Sequence, residues 1–147
     1  MSDKLIPQPD GLNAEFYAHC AAGELRFQRC TACATWRHPP RARCAKCGSD
    51  GWEWALASGR GEVFSWTITH RPLDPGFAAE VPYAVVVVET EEGPRLVGNL
   101  RGIANADLAL GLPVQIVLEP VADGIALTQF TWSSSLRSDS ATRDGSQ

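Results

Sequence analysis

From Gly59 onward the pattern of apolar and polar residues has period two. In GEVFSWTITH, Phe64, Trp66 and Ile68 fall on one side of an extended chain and Ser65, Thr67 and Thr69 on the other, the period-two signature of a half-buried strand. YAVVVVE comes after a long Pro/Gly loop, and RLVGNL after a turn at Glu92-Gly93-Pro94. PVQIVLE follows a looser segment, and IALTQFTW lies past the Asp123-Gly124 turn. Each run is short and bounded by turn residues, so five strands are predicted.

The segment ANADLAL reads as a helix-like insertion between the third and fourth of these strands. Five strands with that insertion fit a small Greek-key barrel of the OB type, predicted here over residues 56–132. Strand count alone leaves a small sandwich open.

Upstream the period changes. DGLNAEFYAHCAA sets Leu12, Phe16 and Cys20 at helical spacing, with Asp10 or Asn13 placed to cap the first turn and Gly23 to end the last. An N-terminal helical segment is therefore predicted within residues 1–23. ELRFQ then alternates Leu25 and Phe27 with polar neighbours, a strand leading into a cysteine-rich stretch that occupies residues 24–55. Trp52 and Trp54 share a face and are expected to cover the junction with the barrel. The tail 133–147, SSSLRSDSATRDGSQ, has almost nothing to bury and is predicted to be disordered.

With 44% hydrophobic and 20% charged residues in 147, the chain has the balance of a globular domain with a real core. Its start does not read as a signal peptide. The longest apolar run, Tyr83 to Val88, falls far short of the about 20 residues that cross a bilayer. A soluble, cytoplasmic protein without a membrane partner is expected.

In a reducing compartment, clustered thiols point to metal rather than to disulfides. Cys30-x2-Cys33, ten residues, then Cys44-x2-Cys47 supply four thiolates at the spacing of two facing knuckles. Four sulfurs at about 2.3 Å make the closed tetrahedral shell of structural zinc, with no position open for water or substrate. One structural Zn2+ per chain is predicted. His38, between the knuckles, is the alternative ligand. Gly48 follows Cys47, where a glycine eases positive φ, whereas Ala34 follows Cys33, so a strained or differently turned first knuckle is expected.

Arg26, Arg29, Arg37, Arg41, Arg43 and Lys46 crowd around these cysteines with no acid among them from Arg26 to Lys46. Two readings stand: charge balance for a doubly negative zinc–thiolate centre, and a phosphate-binding patch. A formal net charge of −4 argues against a nucleic-acid-binding barrel. The barrel cations are few, chiefly Arg71, Arg95 and Arg101, and the aromatics are expected to point mostly inward, so no charged stacking groove is evident.

No catalytic residue is predicted. His19 and Cys20 are neighbours on a helix and point about 100° apart, and Cys20 lies on the apolar stripe. His70, at a strand end beside Arg71 and the loop RPLDPGFAAEVP, is a contact candidate at the barrel mouth.

Taken together, the helix, GELRFQRCTACATWRHPPRARCAKCGS, SGRGEVFSWTITHRP, VPYAVVVVE, RLVGNL and GLPVQIVLE resemble a family of small zinc-ribbon OB-fold proteins associated with acyl-CoA metabolism, long known as a domain of unknown function. The likeness spans about residues 10–132. It implies a mainly β chain with an N-terminal helix, a rubredoxin-like zinc ribbon and a C-terminal five-stranded OB-fold barrel, with Cys30, Cys33, Cys44 and Cys47 at the zinc positions.

The resemblance also implies an accessory role beside a thiolase-superfamily large subunit: a thiolase, an acyltransferase or a lipid-transfer-type aldolase that cleaves steroid side chains. The large subunit would carry the chemistry, and this chain would help form its acyl-CoA site. Arg37, Arg41, Arg43, His70 and Arg71 are then candidate contacts to CoA or partner. Phe16 and Tyr17, Pro39 and Pro40, and the loop from Arg71 to Val81 are candidate docking surfaces. A single-stranded nucleic-acid-binding protein and a free-standing acyl-CoA-binding protein are the alternatives.

Overall fold

The computed structural model describes residues 4–133, so the predicted tail apart from Ser133 lies outside the described residues. Ser133 itself is buried at the end of the last strand.

Helix α1 runs Gly11–Ala21. Asp10 takes the N-cap position with extended backbone, yet its side chain makes no capping bond. Gly23 (φ 85) turns the chain after the helix and donates its N–H to the Cys20 carbonyl at 3.0 Å. Phe16 and Cys20 are buried and Leu12 half-buried, the stripe that the spacing predicts.

Strand β1, Arg26–Cys30, starts two residues later than the alternation suggests and runs to the first cysteine. It is the centre of a three-stranded antiparallel sheet with β2 (Trp36–Arg37) and β3 (Trp52–Leu56), in the order β2-β1-β3. Trp52 and Trp54 stand edge to face at 5.2 Å. Trp54 packs against the core and the His19 ring, 5.3 Å away, while Trp52 faces Arg37. Only Trp54 therefore meets the predicted covering role at the junction.

The second sheet holds β4 (Arg60–Thr69), β5 (Tyr83–Thr90), β6 (Arg95–Gly98), β7 (Pro113–Ala122) and β8 (Ile125–Trp132) in the order β6-β5-β4-β7-β8. Its ends meet where Leu100 lies parallel to Phe130. There the Arg101 N–H donates to the Phe130 carbonyl at 2.7 Å, and the Phe130 N–H donates to the Asn99 carbonyl at 3.0 Å. This parallel seam closes the sheet into a barrel and removes most of the open edge. Gly98 stands at the seam, where an added Cβ would lie 2.5 Å from the Thr128 carbonyl oxygen. The insertion before β7 contains a single 3-10 turn, Asn105–Asp107.

One expectation about facing is corrected. Val63 pairs with Val88 and Ser65 with Val87, which leaves Phe64 as the extra residue of a β-bulge. Counting by twos fails across a bulge. Val63 is buried, Phe64 turns outward at 43% exposure, and Trp66 and Ile68 return to the core side. Arg95 stacks on the outward ring, its guanidinium 3.7 Å from the centroid.

Helix, ribbon and barrel share one core. Phe16 of α1 and Phe27 of β1 belong to the same buried cluster as Val63, Val86, Leu96 and Phe130.

Candidate metal centre

Two matching turns build the centre. In the first, the Cys30 N–H donates to the Thr35 carbonyl and the Ala34 N–H to the Cys30 carbonyl, both at 2.9 Å. In the second, the Cys44 N–H donates to the Ser49 carbonyl at 2.9 Å and the Gly48 N–H to the Cys44 carbonyl at 2.8 Å. Ala34 (φ 64) and Gly48 (φ 78) both adopt the left-handed conformation. The first knuckle is thus turned in the same way as the second, and the strain expected there sits on the alanine backbone. The Thr31 N–H, donating to the Gly51 carbonyl at 3.1 Å, ties the first turn to the approach to β3.

These turns aim four sulfurs at one point. Sγ of Cys30 lies 3.6 Å from that of Cys47, and Sγ of Cys33 lies 3.6 Å from that of Cys44. All four are within 4.8 Å of one another. A tetrahedron with metal–sulfur bonds of about 2.3 Å has edges of about 3.8 Å, so the sulfurs as placed fit a single ion. Cys30 and Cys44 are buried, Cys33 half-buried and Cys47 exposed.

Thiolates are the ligating form, and the thiols are not tuned alike: Cys33 and Cys30 are lowered, whereas Cys47 is raised to about 11, the Ser49 amide lowering it but the neighbouring sulfurs, Cys30 foremost, raising it. The Thr35 hydroxyl, its Oγ1 3.1 Å from Sγ of Cys33, and the Thr35 amide lower the Cys33 thiol to about 6. The Cys33 amide is the main cause lowering Cys30. His38 does not join the cluster. Its ring lies 4.6 Å from Phe16 and 5.4 Å from Phe27, and burial pushes it down to about 4.

Most basic residues of the ribbon have internal partners. Arg37 Nε donates to Gln28 Oε1 at 2.9 Å, and Nη2 to the Arg41 carbonyl at 2.8 Å. The fully buried Gln28 also accepts the Arg41 N–H at 2.7 Å, so one side-chain oxygen holds both ends of the loop leading to the second knuckle. Arg43 Nη1 donates to the Gly48 carbonyl at 3.2 Å, bracing that knuckle. Arg29 lies over Trp36, and Arg26 pairs with Glu24 at 2.8 Å. Arg41, Arg43 and Lys46 remain exposed.

His70 and Arg71 are also exposed, just past the end of β4. No hydrogen bond or ring contact joins them to the ribbon cations among the described residues. Arg37, Arg41 and Arg43 belong to the ribbon, and His70 and Arg71 to the loop after β4. Cys20 is 1% exposed and raised to about 11 by burial, and its neighbour His19 meets Trp54 edge to face, so the two make no nucleophile and base.

Two surfaces adjoin this scaffold. A groove of about 400 Å³ lies between α1, the ribbon loop and the barrel seam, lined by Phe16, Tyr17, His38, Pro39, Val97 and Leu127 among others. Two of the predicted docking elements, the Phe16-Tyr17 pair and Pro39, meet there. The second surface is the outward side of β4–β5–β6. It escapes a reading by alternation because its aromatic, Phe64, depends on the bulge. No helix among the described residues is long and apolar enough to cross a membrane.

Residues 18–53 match the family profile described as the ChsH2 rubredoxin-like zinc ribbon domain, and residues 54–119 the ChsH2 C-terminal OB-fold domain. Over 102 residues the chain is 45% identical to a probable enoyl-CoA hydratase alpha subunit of Thermomonospora curvata, a span of 69% of this chain and 31% of that one. It is 41% identical over 102 residues to the 3-oxo-4,17-pregnadiene-20-carboxyl-CoA hydratase alpha subunit of Mycobacterium tuberculosis, covering 69% and 32%. The chain thus spans about a third of the length of these curated relatives. A solved chain of the Ltp2-ChsH2(DUF35) aldolase superposes with a TM-score of 0.77 at 39% identity, over 86% of this chain and 98% of that one. The chain belongs to the ChsH2 (DUF35) family, which joins a rubredoxin-like zinc ribbon to an OB fold.

Proposed function

We propose that this chain is a non-catalytic accessory subunit. It docks on a thiolase-superfamily large subunit of lipid or steroid metabolism and helps form that partner's acyl-CoA site. The observation that carries this reading is the likeness, over 98% of its length, to the chain of the Ltp2-ChsH2(DUF35) aldolase. Two features of the chain itself support it. The four-sulfur centre offers a closed shell, and among the described residues no nucleophile is paired with a base.

Cys30, Cys33, Cys44 and Cys47 hold one Zn2+ in this reading. Soft thiolates in a tetrahedral set suit zinc, which there supplies folding energy rather than chemistry. The exposed cations Arg41 and Arg43 are the ribbon contacts for CoA phosphates or partner carboxylates, with Arg37 positioning their loop through Gln28. His70 and Arg71 form a second contact site in the loop after β4.

A second reading keeps the accessory role but changes the enzyme, because two relatives are hydratase alpha subunits with names that specify enoyl-CoA or steroid acyl-CoA substrates. Coexpression of the full chain with a candidate thiolase-superfamily large subunit tests the proposal. A complex that survives gel filtration, with acyl-CoA turnover absent from the isolated chain, is the expected result. Turnover by the isolated chain, or a complex formed only with a hydratase subunit, rejects the thiolase assignment.

A further inference from the structure

We propose that the large subunit docks on the outward face of β4–β5–β6, and that it does so with an apolar strip bordered by lysine or arginine. This inference rests on the accessory-subunit reading and names the surface that serves it.

Strand β5 is apolar on both sides. Ala84, Val86 and Val88 are buried in the barrel, whereas Val85 and Val87 on the other side are only half-covered. An antiparallel strand with one solvated face commonly alternates apolar-in and polar-out, so the valines on the outward side of β5 depart from that pattern, and among the described residues only the barrel side is covered. The register sets Ser65, Val87 and Val97 in one row across three strands, with Val97 61% exposed. The bulge adds Phe64 beside that row. Leu110, 73% exposed, is brought alongside by the Gly111 N–H donating to the Val63 carbonyl at 2.8 Å.

Charge says what covers the strip. The next row is Glu62, Glu89 and Arg95, so two carboxylates stand directly opposite each other on neighbouring strands, an arrangement that weakens a sheet. Arg95 is opposite Glu89 in register, but its guanidinium lies on the Phe64 ring. Glu91, beyond them, is paired with Arg60 at 2.9 Å. Glu62, Glu89 and Glu91 thus stand against Arg60 and Arg95 at the end of the apolar strip, a border with net negative charge that a positively bordered partner complements. Arginine and the aromatic residues are both enriched at protein interfaces relative to the rest of the surface, and Arg95 and Phe64 bring one of each to the strip. The basic ribbon would select the opposite partner chemistry, so charge separates the two surfaces.

The test uses the full chain and the thiolase-superfamily large subunit with which it coexpresses, with affinity by titration and the melting temperature of each isolated variant. Val97→Asp is expected to weaken the complex tenfold or more with unchanged melting. Glu62→Lys converts a like-charge pair into an opposite-charge pair. It is expected to leave the isolated chain at least as stable while weakening the complex tenfold or more, a combination that a merely structural role does not produce. If both variants bind within twofold of wild type while Tyr17→Ala in the groove abolishes binding, the interface lies at the groove; this inference then fails and the accessory reading stands. A homodimer of the isolated chain lost in Val97→Asp assigns the face to a second copy and also overturns it. Failure of the wild type to bind overturns both.

Discussion

Ala34 and Gly48 occupy equivalent places in the two cysteine turns. Each donates its N–H to the carbonyl of the cysteine four residues earlier, and each is left-handed, at φ 64 and φ 78. Only glycine adopts that conformation without a Cβ penalty, roughly 1–2 kcal/mol per residue. Part of the penalty returns as lower entropy of the unfolded alanine chain. Ala34→Gly should therefore stabilise the protein by about 0.5–1 kcal/mol, and Gly48→Ala should destabilise it by a similar amount. Denaturant melts of the metal-loaded variants check both signs.

The four sulfurs hold the ribbon as a cross-link, so metal and folding are coupled. One zinc per chain is expected by elemental analysis. Cys44→Ser or a strong chelator should abolish the ribbon's amide-exchange protection, read at Thr31 and Cys44, whose N–H groups are bonded only when the turns are formed. Full protection in metal-free, reduced protein contradicts this coupling.

His38 supplies a pH dependence with a definite sign. Burial between Phe16 and Phe27 lowers its folded value from 6.5 to about 4, so the folded state holds the neutral ring. Its contribution is fully present above about pH 6.5 and is lost as pH falls toward 4, to a total on the order of 3 kcal/mol. His38→Gln should flatten the stability profile between those limits. An identical profile in the variant contradicts the assignment.

The bulge separates two phenylalanines of the barrel sheet by consequence. Phe130 is fully buried, and Phe130→Ala should cost about 3–5 kcal/mol. Phe64→Ser removes an exposed ring stacked on Arg95 and should cost about 1 kcal/mol or less. Equal losses in the two variants would falsify the outward placement of Phe64.

Gly98 is the tightest point of the barrel seam. With its Cβ position 2.5 Å from the Thr128 carbonyl and 3.1 Å from the Phe130 ring, Gly98→Ala has to push β6 and β8 apart. A loss of about 1–3 kcal/mol is expected, with faster exchange of the Arg101 and Phe130 amides that close the seam.

The strands and the helix were legible because period two and period 3.6 are local properties. The cysteine spacing likewise announces four sulfurs at one site. What was hidden depends on contacts between segments far apart in the chain. Nothing near Phe64 marks it as the residue that the pairing of β4 with β5 skips. Gln28 reads as a polar position on an alternating strand, yet it is fully buried because Arg37 and the Arg41 amide come to it from the next loop. The basic run looked like one patch, and pairing with carbonyls and aromatic faces divides it into braces and exposed cations.

The cluster that joins Phe16 and Phe27 to Phe130 sets the smallest piece that can be inherited or grafted. A recombination junction between ribbon and barrel would strip each half of side chains that fill the other's interior, leaving two fragments with open apolar faces. Junctions before α1 or after β8 leave that cluster whole. An appendage transferable between larger proteins is therefore the whole run from α1 to β8, moving as one block.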